Sequence, residues 1–133
     1  MLHFQPNISS LVCAVCVQQF EIVEMLLAYG AQVDLRESVY NITALQESAR
    51  GGNLQIVRKL VESGAGVNLI TKYKATPLIF ASMFGHLDVV KYLVEQGANL
   101  NAVDYNGKSA KQWALDRSHQ EIATFLASAE ENL

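Results

Sequence analysis

The two cysteines are the side chains of this sequence with the clearest potential for chemistry. Cys13 and Cys16 are separated by two residues, a spacing found in zinc sites and redox pairs because residues three apart on a helix point the same way. A structural zinc ion needs four ligands, and two of the three histidines, His86 and His119, occupy equivalent positions of a repeat described below. We therefore interpret both cysteines as small packing or surface thiols. A catalytic or metal role is the alternative, which stoichiometric zinc or an unusually reactive thiol would reveal.

Three short motifs resemble functional signatures, and each has a structural explanation. Gly-Lys-Ser at 107–109 resembles the end of a phosphate-binding loop, but Ala102 stands where the first glycine of that loop belongs. Asn-x-Ser/Thr at 7–9 and 41–43 fits the glycosylation signal, but a turn Asn followed by a helix-capping hydroxyl has the same spacing. No nucleophile, base and orienting group share a motif. We predict a protein that is not an enzyme and has no cofactor and no metal.

Composition and charge exclude several classes of protein. Half of the 133 residues are hydrophobic and 17% are charged, which is enough apolar material for a core and predicts one folded domain over 1–133. A net charge of −3 argues against nucleic acid as the main partner. The longest apolar run, at 11–17, is too short to insert into a membrane and lacks the basic flank of an export signal. We expect an intracellular protein, in the cytoplasm or the nucleus.

An internal repeat organises the chain. Gly-Ala pairs recur at 30–31, 64–65 and 97–98, with steps of 34 and 33 residues. Hydroxyl residues recur in phase with these pairs, at Ser9, Thr43, Thr76 and Ser109. These series predict four units, approximately 4–37, 38–70, 71–103 and 104–133.

Each unit reads as two short helices and a turn. The Ser or Thr before each apolar run is a helix N-cap, and Pro77 follows Thr76 at a first helical position. Gly52 and Gly85 end the first helix of their units, and Gly64 ends a second helix. The polar segments between units predict hairpin-like fingers. The predicted helices span approximately 10–17, 20–28, 44–50, 54–62, 77–84, 87–95, 110–117 and 120–128.

The repeat resembles the ankyrin repeat, and the resemblance covers almost the whole chain. The third unit matches best, with Thr-Pro-Leu at 76–78 and Gly-His-Leu-Asp-Val-Val-Lys-Tyr-Leu-Val-Glu-Gln-Gly-Ala-Asn at 85–99. The family histidine after Thr-Pro-Leu is replaced by Gln46, Ile79 or Gln112, and Lys74 stands where a finger usually has glycine. The first finger also has one residue more than the others. The resemblance implies an all-α ankyrin solenoid of about four helix-turn-helix units joined by β-hairpin-like fingers, with these fingers less regular.

The two ends of the array differ in kind. Lys111, Gln120 and Thr124 replace residues that face a neighbour in interior units, which indicates a polar C-terminal cap. At the other end, Leu11, Val12, Val15 and Val17 give the first helix more than one apolar face. We expect a Leu11, Val12 and Val15 surface without an upstream neighbour, available to upstream repeats or to self-association.

The resemblance also implies a function. Ankyrin arrays hold a protein or peptide partner in a concave groove of fingers and first helices, and the groove positions map onto ten residues here. We predict a non-catalytic protein-protein interaction module whose groove favours an extended or helical peptide with apolar and acidic side chains. A structural or regulatory segment of a longer multidomain protein is the alternative. The predicted partner-binding residues are Tyr40, Arg50, Lys72, Tyr73, Met83, Phe84, Tyr105, Asn106, Trp113 and Arg117, of which Trp113 is either core or groove.

Overall fold

A computed structural model describes residues 10–132 and shows eight helices in that part of the chain. The predicted positions are confirmed, and three of the eight ranges agree at both ends. The helices are α1 (Ser10–Cys16), α2 (Phe20–Ala28), α3 (Ala44–Gly51), α4 (Leu54–Glu62), α5 (Pro77–Met83), α6 (Leu87–Glu95), α7 (Ala110–Asp116) and α8 (Gln120–Glu131).

The helices form four antiparallel pairs that stack side by side in two layers. The inner layer contains α1, α3, α5 and α7, and the outer layer contains α2, α4, α6 and α8; each helix packs on its partner and on its neighbours in the same layer. The core lies between the layers because each helix buries one apolar stripe there. Leu45, Leu78, Leu60 and Leu93 are among its fully buried side chains.

Predicted capping residues begin α3, α5 and α7, whereas Ser9, the predicted cap of α1, lies outside the described residues. The hydroxyl of Thr43 accepts a hydrogen bond from the amide of Gln46 at 3.3 Å, and the Gln46 side chain accepts one from the Thr43 amide at 2.7 Å. Ser109 and Gln112 form the same reciprocal pair. Glutamine at the family histidine position therefore completes a capping box. The Gln46 amide also donates to the carbonyl of Leu69 at 2.8 Å, which ties α3 to the next finger.

Two inner helices, α3 and α5, are stopped by a glycine, and both backbone conformation and crowding require glycine there. Gly52 and Gly85 have φ of 79° and 82°, in the left-handed region that other residues rarely adopt. A Cβ atom on Gly52 would also lie 2.4 Å from the His86 ring of the next pair, and His119 crowds Gly85 in the same way. At the first pair Gln18 has φ of 55° at the equivalent position.

The fingers between pairs are turns, with one isolated antiparallel bridge, Val103 to Ser109, and no strand in the described residues. Lys74 adopts a φ of 61° where a finger usually has glycine. The first finger is closed by a bond from the Glu37 amide to the Ile42 carbonyl, five residues on. The second and third are closed over four residues, from Thr71 and from Asp104. The extra residue of the first finger therefore lengthens its turn.

One expectation about the N-terminal end is wrong. Leu11, Val12 and Val15 do not form an exposed surface; all three are buried, because α1 packs against both α2 and α3. The exposed apolar residues of this end lie elsewhere, at Val17 and on the outer side of α2, where Ile22 is 44% exposed.

The C-terminal end carries polar residues, though not all face outward. Lys111 is half-buried and forms an ion pair with Glu130 of α8 at 3.2 Å. Gln120 and Thr124 are exposed, as expected of a cap. No glycine stops α8, and it continues three residues past the predicted end at 128.

Candidate functional site: the groove of fingers and inner helices

Each finger begins with a side chain that organises its own turn. The carboxylate of Glu37, the hydroxyl of Thr71 and the carboxylate of Asp104 occupy equivalent positions. Each accepts hydrogen bonds from two backbone amides of its finger. Such local bonds favour a tight turn over an extended strand. The three fingers therefore hold fixed shapes without a β-sheet.

Backbone hydrogen bonds join neighbouring fingers. The Lys72 amide donates to the Tyr40 carbonyl at 2.9 Å, and the Tyr105 amide donates to the Tyr73 carbonyl at 3.1 Å. The rings of Tyr40 and Tyr73 lie with centroids 6.2 Å apart, within the range of an aromatic pair. The three finger tyrosines are thereby held along one edge of the stack.

A pocket of about 250 Å³ opens between the second and third fingers and the inner helices behind them. Its walls are aromatic and aliphatic with a few polar atoms, the composition of a site that takes an apolar group. Five of the ten predicted partner-binding residues lie here. The lining residues are Thr71, Tyr73, Ala75, Phe80, Met83, Asp104, Tyr105, Asn106 and Trp113.

Trp113 is half-buried and lines this pocket, so it belongs to the groove as well as to the packed layer. Its indole Nε1 donates to Asp104 Oδ2 at 2.7 Å, which fixes the ring. Cations cover it: Lys108 Nζ lies 4.4 Å and Arg117 Cζ 5.5 Å from the ring centroid. Asp104 thus organises the third finger with one oxygen and orients Trp113 with the other.

The remaining predicted site residues lie at different distances from the pocket wall. Tyr40 and Lys72 are exposed on the fingers beside it, and Arg117 lies over Trp113. Arg50 and Phe84, by contrast, do not line it. The Arg50 guanidinium is paired with Glu47 one turn earlier, a hydrogen bond that raises the pKa of Arg50. Phe84 is exposed at the end of α5.

Four residues that line the pocket, Thr71, Ala75, Phe80 and Asp104, were not predicted from the sequence, and the last two are instructive. Phe80 stands 33 residues before Trp113, at the same place in its repeat, so the period alone identifies it once Trp113 is chosen. Asp104 shares its position with Thr71 and Glu37. An oxygen-bearing side chain at this position of all three fingers indicates turn formation. Nothing in the sequence pattern shows that Asp104 also accepts a hydrogen bond from the Trp113 indole.

Charge is divided between the two sides of the stack. The fingers and inner helices of 34–51, 67–84 and 100–117 contain seven of the ten Lys and Arg and five of the thirteen Asp and Glu. The rest of the chain contains three basic and eight acidic residues.

The carboxylates on the groove side are all engaged. Asp34 accepts from the amide of Gly66, and Asp116 is paired with Lys108 at 2.5 Å. Glu37, Glu47 and Asp104 have the partners given above. Lys72, by contrast, has no ion-pair partner among residues 10–132, and Lys74 Nζ lies over the Tyr105 ring, 5.4 Å from its centroid. The groove therefore presents uncompensated positive charge.

The cysteines do not form a functional centre with other side chains. Cys13 and Cys16 are exposed free thiols on α1. Partial burial of its sulfur against α3 neighbours such as Glu47, together with the charge of that carboxylate, raises the pKa of Cys16, which disfavours the reactive thiolate. Within residues 10–132, no three His, Cys, Asp or Glu side chains are grouped to hold a metal ion. In the same part of the chain, no helix is long and apolar enough to cross a membrane.

The stacked helix pairs and their linked fingers define a helical repeat protein with fingers and inner helices on one side and outer helices on the other. The family model described as ankyrin repeats (3 copies) matches residues 3–71 and 45–133. The chain belongs to the ankyrin-repeat family. Its members are generally protein-protein interaction modules and are typically non-catalytic. No curated protein matches the chain.

Proposed function

We propose that this protein binds a peptide or protein segment in the groove between its fingers and inner helices. The observation that carries the proposal is the aromatic pocket of about 250 Å³ between the second and third fingers of that groove. Apolar and aromatic pockets with a few fixed polar groups are where binding energy concentrates, and Tyr, Trp and Arg supply much of it. The proposed binding domain is the whole array over 1–133, with unit boundaries as predicted above, acting without catalysis inside the cell.

The ligand's chemistry follows from the walls and the rim. Tyr73, Tyr105 and Trp113 bound a space that suits one large apolar side chain. Lys72 lies exposed beside this space, and Arg117 lies at its far end against Trp113. Because the carboxylates of the groove are already bonded, an approaching acidic residue meets positive charge and little repulsion. The proposed ligand is a segment with an apolar anchor flanked by Asp or Glu.

Affinity capture with the intact protein, followed by mass spectrometry of what is retained, tests the proposal. Tyr73→Ala and Tyr105→Ala each remove a pocket wall, and each is expected to weaken binding of the captured partner by about 1 to 3 kcal/mol. Neither substitution should lower the thermal unfolding midpoint much, because both rings are at least half exposed.

Tyr29→Ala is the matched control. Tyr29 is the same residue type, is 87% exposed and lies at the end of α2, away from the pocket. Lys91 on the outer layer serves less well because its Nζ lies over the Phe125 ring of the next pair, 5.8 Å from the centroid. If Tyr29→Ala abolishes binding while both groove variants keep it, the groove assignment is wrong.

The alternative function, a structural or regulatory segment of a longer protein, draws support from a different observation. Ile22 and Met25 of α2 are exposed although their equivalents in later pairs are wholly or partly buried. This face is compatible with either function, since a groove-binding module can also be part of a longer assembly.

A further inference from the structure

We propose that the exposed outer face of α2 binds an amphipathic helix that carries a Lys or Arg beside its apolar residues. This N-terminal face consists of Ile22, Met25 and Tyr29, spaced three and four residues apart along one side of the helix. Their exposed fractions are 44%, 54% and 87%. The face is separate from the groove, and the proposal does not depend on the proposed function.

The same positions in later pairs show what covers such a face. Ile56, Val89 and Ile122 are equivalent to Ile22, and all three are buried, even in the last pair, where no described pair follows. Their burial therefore comes from the preceding pair. The interface that Ile22 lacks is repeated three times in the described chain, where α4 packs on α2, α6 on α4 and α8 on α6.

The residues equivalent to Met25 in later pairs show which kind of side chain covers this position. Its equivalent Tyr92 lies under the guanidinium of Arg58, 4.6 Å from the ring centroid, and Arg58 belongs to the preceding outer helix. Phe125 of α8 is also equivalent to Met25, and its ring lies under Lys91 of the preceding outer helix, α6. A basic side chain of the preceding helix thus covers this position in both of the later interfaces. Met25 has no aromatic ring, but its thioether offers an apolar surface for the aliphatic stem of such a basic side chain.

Charge on the face favours a basic partner. Residues 1–33 contain Glu21 and Glu24 and no Lys or Arg. Glu24 is already within 4.0 Å of Lys59 in the next pair. Glu21 lies one turn before Met25 on the same side of α2 and has no ion-pair partner among residues 10–132, so a Lys or Arg placed over Met25 also gains an opposite charge.

An apolar cleft continues the face at its end. A cavity of about 330 Å³ has Tyr29 on its wall, together with Leu11, Leu26 and Leu35. A second copy of this chain is a poor occupant because the free side of its last outer helix carries Glu121 and Glu131 and no basic residue. Acidic residues would then meet the acidic α2.

The test fuses a helix pair with a basic outer helix to the N-terminal side of the chain, so that it is present at high effective concentration next to the N-terminal face. Residues 71–103, the third unit with its Lys91, are duplicated in phase directly before residue 4 of the full chain. The thermal unfolding midpoint should rise by roughly 5 °C. The double substitution Ile22→Ser, Met25→Ser should remove that rise, while in the chain without the duplication it should change little because both side chains are exposed.

Two controls keep the result interpretable. Ile70→Ser removes an equally exposed isoleucine of the second finger, 43% against 44%, and should leave the rise intact. Lys91→Glu in the added copy alone should reduce it, because the basic contact is reversed.

Four outcomes would overturn the proposal. One is no rise, and another is a rise that Ile22→Ser, Met25→Ser leaves unchanged. The third is a dimer of the unextended chain in light scattering that the same double substitution abolishes, since the occupant would then be a second copy. A rise that survives Lys91→Glu in the added copy contradicts the basic chemistry assigned to the helix.

Discussion

The first and third helix pairs have the same backbone and different surroundings. α2 and α6 are both nine residues long and begin and end at equivalent positions. Val89 of α6 is fully buried, whereas its counterpart Ile22 of α2 is 44% exposed. The apolar pattern is enough to form each helix, but a preceding pair is needed to bury the position that Ile22 and Val89 share. In a stacked array, stability is therefore a property of interfaces as much as of units.

The largest expected difference concerns equivalent leucines of the two pairs. Leu93→Ala should lower the free energy of unfolding by about 3 kcal/mol because its side chain is fully buried between layers. Leu26→Ala, at the same position of the half-buried α2, should cost about 1 kcal/mol. Urea denaturation of the two variants measures both values. Equal losses of unfolding free energy would show that α2 is as well packed as α6 and would contradict the difference inferred between the two pairs.

A smaller difference is expected where the inner helices end. Gly85→Ala should destabilise by about 2 kcal/mol, since it places a Cβ in the left-handed region and against the His119 ring. Gln18→Gly, at the equivalent position of the first pair, should stabilise by about 0.5 to 1 kcal/mol because it relieves the same backbone cost.

The two substitutions have opposite expected signs at one structural position, so thermal unfolding of both separates backbone strain from general damage. The position facing Gln18 in the next pair is Asn53 in place of histidine, which is consistent with a side chain being tolerated there. A stable Gly85→Ala variant would remove the role assigned to the histidine ring.

The smallest expected effect concerns the thiols of the first pair. Cys13 and Cys16 are equivalent to Phe80 and Met83, which line the groove pocket in the third pair. At neutral pH a raised pKa leaves less thiolate, so Cys16 should alkylate more slowly than Cys13. Burial of the sulfur is the larger cause of this raised pKa and the Glu47 charge the next, so Glu47→Gln should speed the reaction at Cys16.

Mass-spectrometric alkylation rates at both cysteines check this prediction, with Cys13 as the internal reference. An unchanged Cys16 rate in Glu47→Gln would mean that this carboxylate does not act on the sulfur. Faster reaction at Cys16 than at Cys13 would mean that the first pair presents a reactive thiol at Cys16.

The helices were predictable because the signals that form them are local. Thr43 and Ser109 cap within their own turn, and the outer helices α2, α4 and α6 agree with prediction at both ends. The error at the N-terminal end has a physical cause. Val15 lies on a helix whose apolar residues point toward two neighbours, and spacing shows the period of a stripe without showing which neighbour covers it.

The groove was partly predictable for the same reason. The repeat period places Tyr73, Met83 and Trp113 along one side, and the structure brings all three to one pocket. Phe84 has the right residue type and follows Met83 directly, yet it lies outside the pocket wall. A change of one residue at a helix end turns a side chain by about 100°, which is finer than a family alignment resolves.

Local sequence signals set the caps and the left-handed stops, which depend on residues within one turn or one helix, and recurrence of those signals every 33 or 34 residues reveals the repeat. Burial of equivalent residues depends on the tertiary structure, since Ile22 and Val89 differ in neighbours and hardly in type. The tertiary structure also decides that Asp104 holds Trp113, that Tyr40 and Tyr73 pair across fingers, and that the carboxylates of the groove already accept hydrogen bonds or ion pairs. These contacts join residues from different helices and fingers, and their distances depend on how the pairs stack.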